Sequence, residues 1–371
     1  MKICSIHRDP YSVDFVFLEE KTASELRSVV TQLCKTKNAQ ILMVEWINDK
    51  QVVFITEAGL ELYSVNARRK VIQFCRNSDV NTQWIVYYPP SQLLICASGI
   101  TSAVMNPFVI QNGLIHKLNK FEVDFGCSGI KSKLSDKDVM IASIYQKLYL
   151  LVLKFDNLGL TKQVNLYEIL SDISKQVEIS HVLHLNLDEN VGLHVIDNLV
   201  IVHHRRSAKS QIFDIKLKQS GVTRHYPAVS TPIKVAEKFE LIYKEKLFSV
   251  FPWYLLIPFQ VVDPKEGIFS NLTLILDNVW NFFDDKLLLL RFVMNRTNCE
   301  EFMMKVVQKF IFNRELSLKK IAETLQEIYL PEKLNNQESL LSKVDSNKFK
   351  LIPEPYSQMK VDQTSIVRSI F

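Results

Sequence analysis

The sequence predicts an all-β, β-propeller-like body of about six blades, followed by a short α-helical tail. Short apolar runs separated by polar turns fill the chain from Val13 to about Leu276. β-Branched and aromatic residues dominate those runs, and helical periodicity is weak there. Near Phe282 the pattern changes, and apolar residues then recur at helical spacing. The boundaries read from this are a β domain over 1–281 and a helical region over 282–371, whose one-sided helices read as a small array or a docking surface.

The strands can be taken in order. ILMVEW (Ile41–Trp46), QVVFIT (Gln51–Thr56) and LELYSV (Leu60–Val65) follow one another closely, broken by Asn48-Asp49-Lys50 and Glu57-Ala58-Gly59. Breaks that short let each strand turn back beside its neighbour, so the segment reads as an antiparallel meander. Gly59 can supply a positive backbone dihedral at the second turn. The rhythm recurs in WIVYY (Trp84–Tyr88), LLICA (Leu93–Ala97), NPFVI (Asn106–Ile110) and GLIHKL (Gly113–Leu118). VMIASIY (Val139–Tyr145), KLYLLVLKF (Lys147–Phe155) and QVNLYEI (Gln163–Ile169) repeat it, as do VGLHVI (Val191–Ile196), NLVIVHH (Asn198–His204) and SQIFDIKL (Ser210–Leu217). FPWYLLIPF (Phe251–Phe259), with two prolines, reads as an edge or buried crossing strand. Spacing alone fits a sandwich, a barrel or a propeller, and at about 40–45 residues per blade the β region holds about six.

DDKLLLLRFVMNR (Asp284–Arg296) opens the tail with two acidic residues, as the positive end of a helix dipole favours. CEEFMMKVVQKFIFNR (Cys299–Arg314) and SLKKIAETLQEIYL (Ser317–Leu330) follow as amphipathic helices, the last stopped by Pro331. Residues 335–350 read as a polar loop, and VDQTSIVRSIF (Val361–Phe371) as part of a further helix.

Composition narrows the class. The 371 residues are 47% apolar and 23% charged, which is ordinary for a folded protein and unlike disorder. A net charge of +5 is mild and does not imply nucleic-acid binding. No apolar stretch reaches the ~18 residues of a membrane span, and MKICSIHRDPYSVDFVF lacks the apolar core of a secretory signal. The six cysteines are scattered and read as reduced, buried thiols of a cytosolic protein. The triplets Asn271-Leu272-Thr273 and Asn295-Arg296-Thr297 read as accidental glycosylation matches.

No chemistry-bearing motif emerges. His203 and His204 are adjacent and point to opposite faces of a strand; His181, His184 and His194 lie nearby with Asp188 among them, but without metal-ligand spacing. They read as hydrogen-bonded strand or rim histidines. No GxSxG, P-loop or dinucleotide-binding glycine pattern occurs, and only nine glycines are present. Glu19-Glu20, Asp284-Asp285 and Glu300-Glu301 read as solvated turns or helix starts, and Arg68-Arg69-Lys70, His204-Arg205-Arg206 and Lys319-Lys320 as solvated basic clusters. The reading is a non-enzyme with no catalytic, cofactor-binding or metal-binding residue and no cofactor.

Several segments resemble one family. CKTKNAQILMVEW (Cys34–Trp46), VVFITEAGLELYSV (Val52–Val65) and VIDNLVIVHHRRSAKSQIFDIKL (Val195–Leu217) are similar to the metazoan regulator of the Mon/Ccz guanine-nucleotide exchange complex, the Mic-one or Bulli family. KLNKFEVDF (Lys117–Phe125) and LSDKDVMIASIYQKLYLLVLKF (Leu134–Phe155) extend the resemblance, which fades in the tail and returns at VDQTSIV. It implies a β-propeller followed by a helical solenoid. The implied role is a non-catalytic scaffold beside the Mon and Ccz subunits, which activate the late-endosomal Rab GTPase. That role supports endosome and autophagosome maturation, lysosomal fusion and export of lysosomal cholesterol. The implied location is cytoplasmic, peripheral on late-endosomal, lysosomal and autophagosomal membranes, with no nucleic-acid partner. A generic trafficking tether or coat propeller is the alternative, and a propeller enzyme the weaker one. Family members carry enough residues for one blade and more ahead of the match, and a long helical continuation after it. The expectation is therefore a short isoform, a fragment or an incomplete gene model.

Overall fold

The computed structural model describes residues 2–18, 28–170, 172, 174–217, 223–232, 254–256, 260–263, 268–271, 274–324 and 326. Within them the chain forms successive antiparallel sheets, each built from strands that follow one another in sequence. The first sheet holds β1 (Lys2–Asp9), β2 (Ser12–Leu18) and β3 (Ser28–Leu33). The second holds β4 (Ile41–Asn48), β5 (Gln51–Thr56), β6 (Gly59–Asn66) and β7 (Val71–Asp79). The third has β8 (Trp84–Tyr88), β9 (Leu93–Ser98), β10 (Val104–Gln111) and β11 (Leu114–Lys117), with β12 (Phe121–Glu122) also paired to β10. The fourth has β13 (Val139–Ile144), β14 (Lys147–Phe155), β15 (Thr161–Glu168) and β16 (Ile179–Glu189). The fifth begins with β17 (Val191–Ile196), β18 (Leu199–His204) and β19 (Lys209–Phe213). The chain then crosses back as β20 (Arg224–His225) to pair parallel with β16, and returns as β21 (Val229–Pro232) beside β19. β22 (Tyr254–Leu256), β23 (Gln260–Asp263) and β24 (Ile268–Asn271) form the sixth.

The strands read from sequence in the second to fifth sheets are present, with β7, β12, β16, β20 and β21 added. β12, β20 and β21 are short, and β7 and β16 are mostly exposed or half-buried, so neither group carries a strong apolar run. SQIFDIKL is strand only as far as Phe213, because the Asp214 carboxylate turns to other work described below. Pro107 sits within β10, where the strand passes from β12 to β11, and its carbonyl accepts Leu118 N at 2.9 Å. The missing donor therefore falls in a gap of the ladder.

Gly59 is required by close approach. A Cβ there would lie 2.3 Å from Ser78 O on β7, and its φ is +145°. Thr56 Oγ1 accepts the Ala58 and Gly59 amides and donates to Gly59 O, which holds the turn.

Apolar side chains pack between sheets, in sequence along the chain. Val13, Phe15 and Phe17 of the first sheet meet Phe54 and Tyr63 of the second. Val53, Ile55 and Leu62 meet Leu94, Cys96 and Phe108 of the third. A larger cluster joins the third, fourth and fifth sheets through Ile95, Met105, Leu150, Val152, Leu166 and Val202. The first strands lie side by side, β8 against β13, β13 against β17 and β17 against β22; at the other edge β3 meets β7 and β7 meets β11. The first five sheets thus bury apolar side chains on their sequence neighbours, and each fully buried Leu, Ile, Val or Phe contributes about 1.5–3 kcal/mol.

Helix α1 (Lys286–Met294) and helix α2 (Glu300–Phe312) follow, with residues 318–324 again helical. Asp285 caps α1 by accepting the Leu287 and Leu288 amides, and Glu300 and Glu301 occupy the first turn of α2, as their positions in the sequence led one to expect. Leu289, Leu290, Phe292, Met303, Val306 and Phe310 form one core with Leu199, Leu217 and Val229 of the fifth sheet. Glu19-Glu20, most of Phe251–Phe259, the Asn271 triplet beyond its first residue, the 335–350 loop and the Val361–Phe371 helix lie outside the described residues.

Candidate functional site

The most concentrated polar chemistry lies where the helices meet the β body. Two tight hairpin turns start it. Tyr145 and Gln146 join β13 to β14, and Asp197 and Asn198 join β17 to β18; all four have positive φ, between 48° and 64°. Two-residue turns of this kind match the twist of the flanking strands. Asp and Asn tolerate the left-handed region, whereas a tyrosine there is strained by about 1–3 kcal/mol. Tyr145 is held in it from two sides: Asn198 Oδ1 accepts its amide at 2.7 Å, and its hydroxyl donates to Asp214 Oδ1 at 2.8 Å.

Arg296, in the turn after α1, completes the cluster. Its Nη2 donates to Asp214 Oδ2 at 2.6 Å and to the Tyr145 hydroxyl at 2.5 Å. Its Nη1 donates to Asp197 O, and its Nε to Phe292 O at 3.0 Å. Both side chains of the ion pair are 0% exposed. The Thr297 amide reaches the Asp197 carboxylate at 2.9 Å, and Lys216 Nζ sits 4.2 Å over the Tyr145 ring. Burial pushes the Tyr145 hydroxyl far up, with Arg296 opposing and Asp214 reinforcing the shift. Burial also raises the Asp197 carboxyl, against the pull of Arg296 and Thr297. Every guanidinium nitrogen is engaged, so the cluster acts as a clamp holding the helices on the fourth and fifth sheets.

A second buried carboxylate joins the first two sheets. Glu61 on β6 accepts from Tyr63 OH at 2.6 Å, Thr36 N and Oγ1 at 2.7 Å each, and Lys35 N at 2.8 Å. Burial raises its pKa, but these hydrogen bonds outweigh burial and leave it below the ordinary value. The neighbouring Cys34 thiol is pushed up to about 12 by burial and by the Glu61 charge.

The histidines are interior residues that bond one another. On the fifth sheet His194 Nδ1 and His203 Nε2 are 3.0 Å apart, and His203 Nδ1 lies 2.8 Å from Ser210 Oγ, a row running across β17, β18 and β19. His204 faces the other way, 3.8 Å from Glu189. Burial, then the neighbouring His194 and His204, lower His203 to about 3, so His203 is neutral. On the fourth sheet His181 meets His225 at 3.0 Å, and His184 stacks on Tyr226, fastening β20 to β16. No group of three or more His, Cys, Asp or Glu able to hold a metal ion occurs among the described residues. An open hollow of ≈ 550 Å³ at one end of the second sheet, formed by the loop before β4, the β5–β6 turn and the end of β7, is lined by Lys37, Asn38, Glu57, Asp79 and Asn81.

Some readings from sequence need correcting. Cys96 and Cys299 are buried and Cys34 is partly so, but Cys4, Cys75 and Cys127 are exposed on outward strands and loops; all six are free. His204 belongs to the buried face of β18, so only Arg205 and Arg206 form the turn of that basic cluster. The Asn295-Arg296-Thr297 triplet lies at the junction, where Asn295 Nδ2 bonds Arg291 O and the other two enter the clamp. Arg68-Arg69-Lys70 lie in the turn between β6 and β7, and Lys319-Lys320 on an exposed helix start.

The fold and its junction define a class: a largely β-sheet protein of sequential antiparallel sheets, with a short C-terminal helical region clamped to it by a buried ion pair. Residues 1–72 match the family model described as "Regulator of MON1-CCZ1 complex, N-terminal". The chain carries that domain and is homologous over most of its length to regulators of the same name. It is 29% identical over 331 residues to "Regulator of MON1-CCZ1 complex" of Homo sapiens, and equally to that of Mus musculus, in each case covering 84% of this chain and 49% of the relative. The chain thus spans about half the length of those curated relatives. Among solved structures, the periplasmic gluconolactonase of Pseudomonas aeruginosa is similar over 62% of this chain and 69% of its own, with 11% identity and a TM-score of 0.36. A likeness that slight is silent on function. No described helix is long and apolar enough to cross a membrane.

Proposed function

We propose that the chain is a non-catalytic scaffold or regulatory subunit of the MON1-CCZ1 exchange complex, promoting activation of the late-endosomal Rab GTPase. In this reading it serves endosome and autophagosome maturation and lysosomal fusion, as a peripheral protein on those membranes. The observation that carries it is the homology to regulators of that complex over 84% of the chain. That homology supports a regulatory, non-enzymatic role, and the sheets and clamp supply a rigid body suited to it. Residues 1–281 act as a propeller domain whose blades are the successive sheets, and 282–371 open a solenoid-like helical domain. The face-to-face packing of sequential sheets and the side-by-side first strands favour blades.

Affinity capture tests the assignment. The tagged chain, expressed with MON1 and CCZ1, is expected to retain both through washing. Failure to retain either, while the human relative retains both, overturns it.

A further inference from the structure

Between β19 and β21 the chain leaves the fifth sheet, adds β20 to the β16 edge of the fourth, and returns. The added strand is thinly held by its backbone. Its ladder is two pairs long, Val182 with Arg224 and Leu183 with His225, and Val182 N donates to Thr223 O at 2.7 Å. Parallel pairing is the weaker kind per residue, so two pairs hold little. Side chains supply the rest. His181 Nδ1 and His225 Nε2 lie 3.0 Å apart, and His184 stacks on Tyr226 with ring centroids 5.2 Å apart. His225 is buried, and Tyr149 of β14 meets the His181 ring edge-on.

This fastening suits neutral rings. The ring-to-ring hydrogen bond uses one N–H and one bare nitrogen, and two charged rings would turn N–H against N–H. A single added charge meets surroundings that are mostly positive. His181 faces Lys147 of β14 and Glu168 of β15, and those two already pair with each other at 3.0 Å. His184 faces Arg224 of β20 and Lys162 of β15. Burial first, then Lys147, lowers His181, with Glu168 opposing; burial, then Arg224 and Lys162, lowers His184. Undocking β20 takes Arg224 away from His184 and opens His181 to water, so both rings move back toward ordinary basicity.

We propose that β20 is a proton-released latch: acidification detaches residues 223–226 from β16 while the sheets stay folded, and bares the β16 edge. A ring that takes up a proton only when β20 is free leaves docking at full strength above the ordinary histidine value of about 6.5. Below that value docking weakens by up to about tenfold per pH unit for each such ring, until the docked ring itself titrates. Opening of this kind is local, because the rest of the fourth and fifth sheets keeps its own ladders and core. The latch goes beyond the proposed function and is a property of the chain by itself.

Hydrogen exchange of the full chain tests it, at about pH 7.5 and 5.5, with rates corrected for the intrinsic effect of pH. The Val182 amide, which bonds Thr223 O, is expected to lose about tenfold in protection at the lower pH, while amides of β5 and β9 keep theirs. The double variant His181→Gln, His184→Gln keeps a hydrogen-bonding side chain at each site and should lose most of that dependence on pH. Lys147→Met frees Glu168 to face a charged His181, so release should need a lower pH than in wild type. Equal Val182 protection at both pH values in the wild type overturns the inference. So does a pH dependence in the double variant as large as the wild type's, or a release pH that Lys147→Met leaves in place. Loss at β5 and β9 as large as at Val182 also overturns it, since that would be acid unfolding of the whole body.

Discussion

Two buried carboxylates hold the molecule together by opposite means. Asp214 meets a full counter-charge, Arg296, and the pair joins helices to sheets. Glu61 meets only neutral donors, four oxygen and nitrogen bonds between 2.6 and 2.8 Å, and joins sheet to sheet. A buried ion pair is only as good as its weaker partner, because removing one charge strands the other in low dielectric. A carboxylate solvated by several amides and hydroxyls spreads that risk, since each donor contributes separately. The helical junction is therefore the more brittle of the two joints.

Arg296→Ala should break the comparison open most strongly. The expected loss is about 3–5 kcal/mol in denaturant unfolding, with limited proteolysis releasing the helical region first. Arg296→Met combined with Asp214→Leu should recover much of that loss, since it leaves no stranded charge. If Arg296→Ala unfolds like the wild type, the junction is not a clamp. Glu61→Gln should cost less, about 1–3 kcal/mol, because the amide keeps one acceptor and turns the other against its donors. A cost for Glu61→Gln as large as that for Arg296→Ala would remove the contrast between the two joints.

The smallest expected effect is a slope with pH. His203 is lowered to about 3 in the fold, so the unfolded chain binds a proton that the folded chain refuses. Stability is full above the unfolded histidine value of about 6.5 and falls below it, by about 1.4 kcal/mol per pH unit, until the folded value is reached. Glu61, also lowered, adds to the fall only below the ordinary carboxylate range. Unfolding measured at pH 7, 6 and 5 should show the slope in wild type and a shallower one in His203→Gln, where His181, His184 and His204, also lowered by burial, keep the remainder. A slope that persists undiminished in His203→Gln would place the responsible group elsewhere.

Much of the fold was legible because strands announce themselves by local chemistry. Runs such as QVVFIT and NLVIVHH are too apolar to be loops and too short and β-branched for helices, and their turns carry Gly59 or Asp197-Asn198. β20 was not legible, because its pairing with β16 depends on His225 and Tyr226 meeting His181 and His184 across forty residues and more. The clamp was hidden for the same reason. Arg296 stood in a triplet read only as an accidental glycosylation match, 82 residues from Asp214. One local signal did exist: an aspartate set between Phe213 and Ile215 in an apolar run is an expensive place for a charge without a partner.

By itself the sequence determined the class: a β-rich body ending near Phe282, then helices with acidic residues at their starts, Asp285 as a cap and Glu300 in the first turn. Those features follow from periodicity and capping, which act over a few residues. The tertiary structure alone decided which sheets touch, that a row of bonded histidines crosses the fifth sheet, and that the helices are pinned by one buried charge pair. Such choices rest on contacts between residues far apart in the chain, where burial and charge pairing are set by the packing of whole sheets.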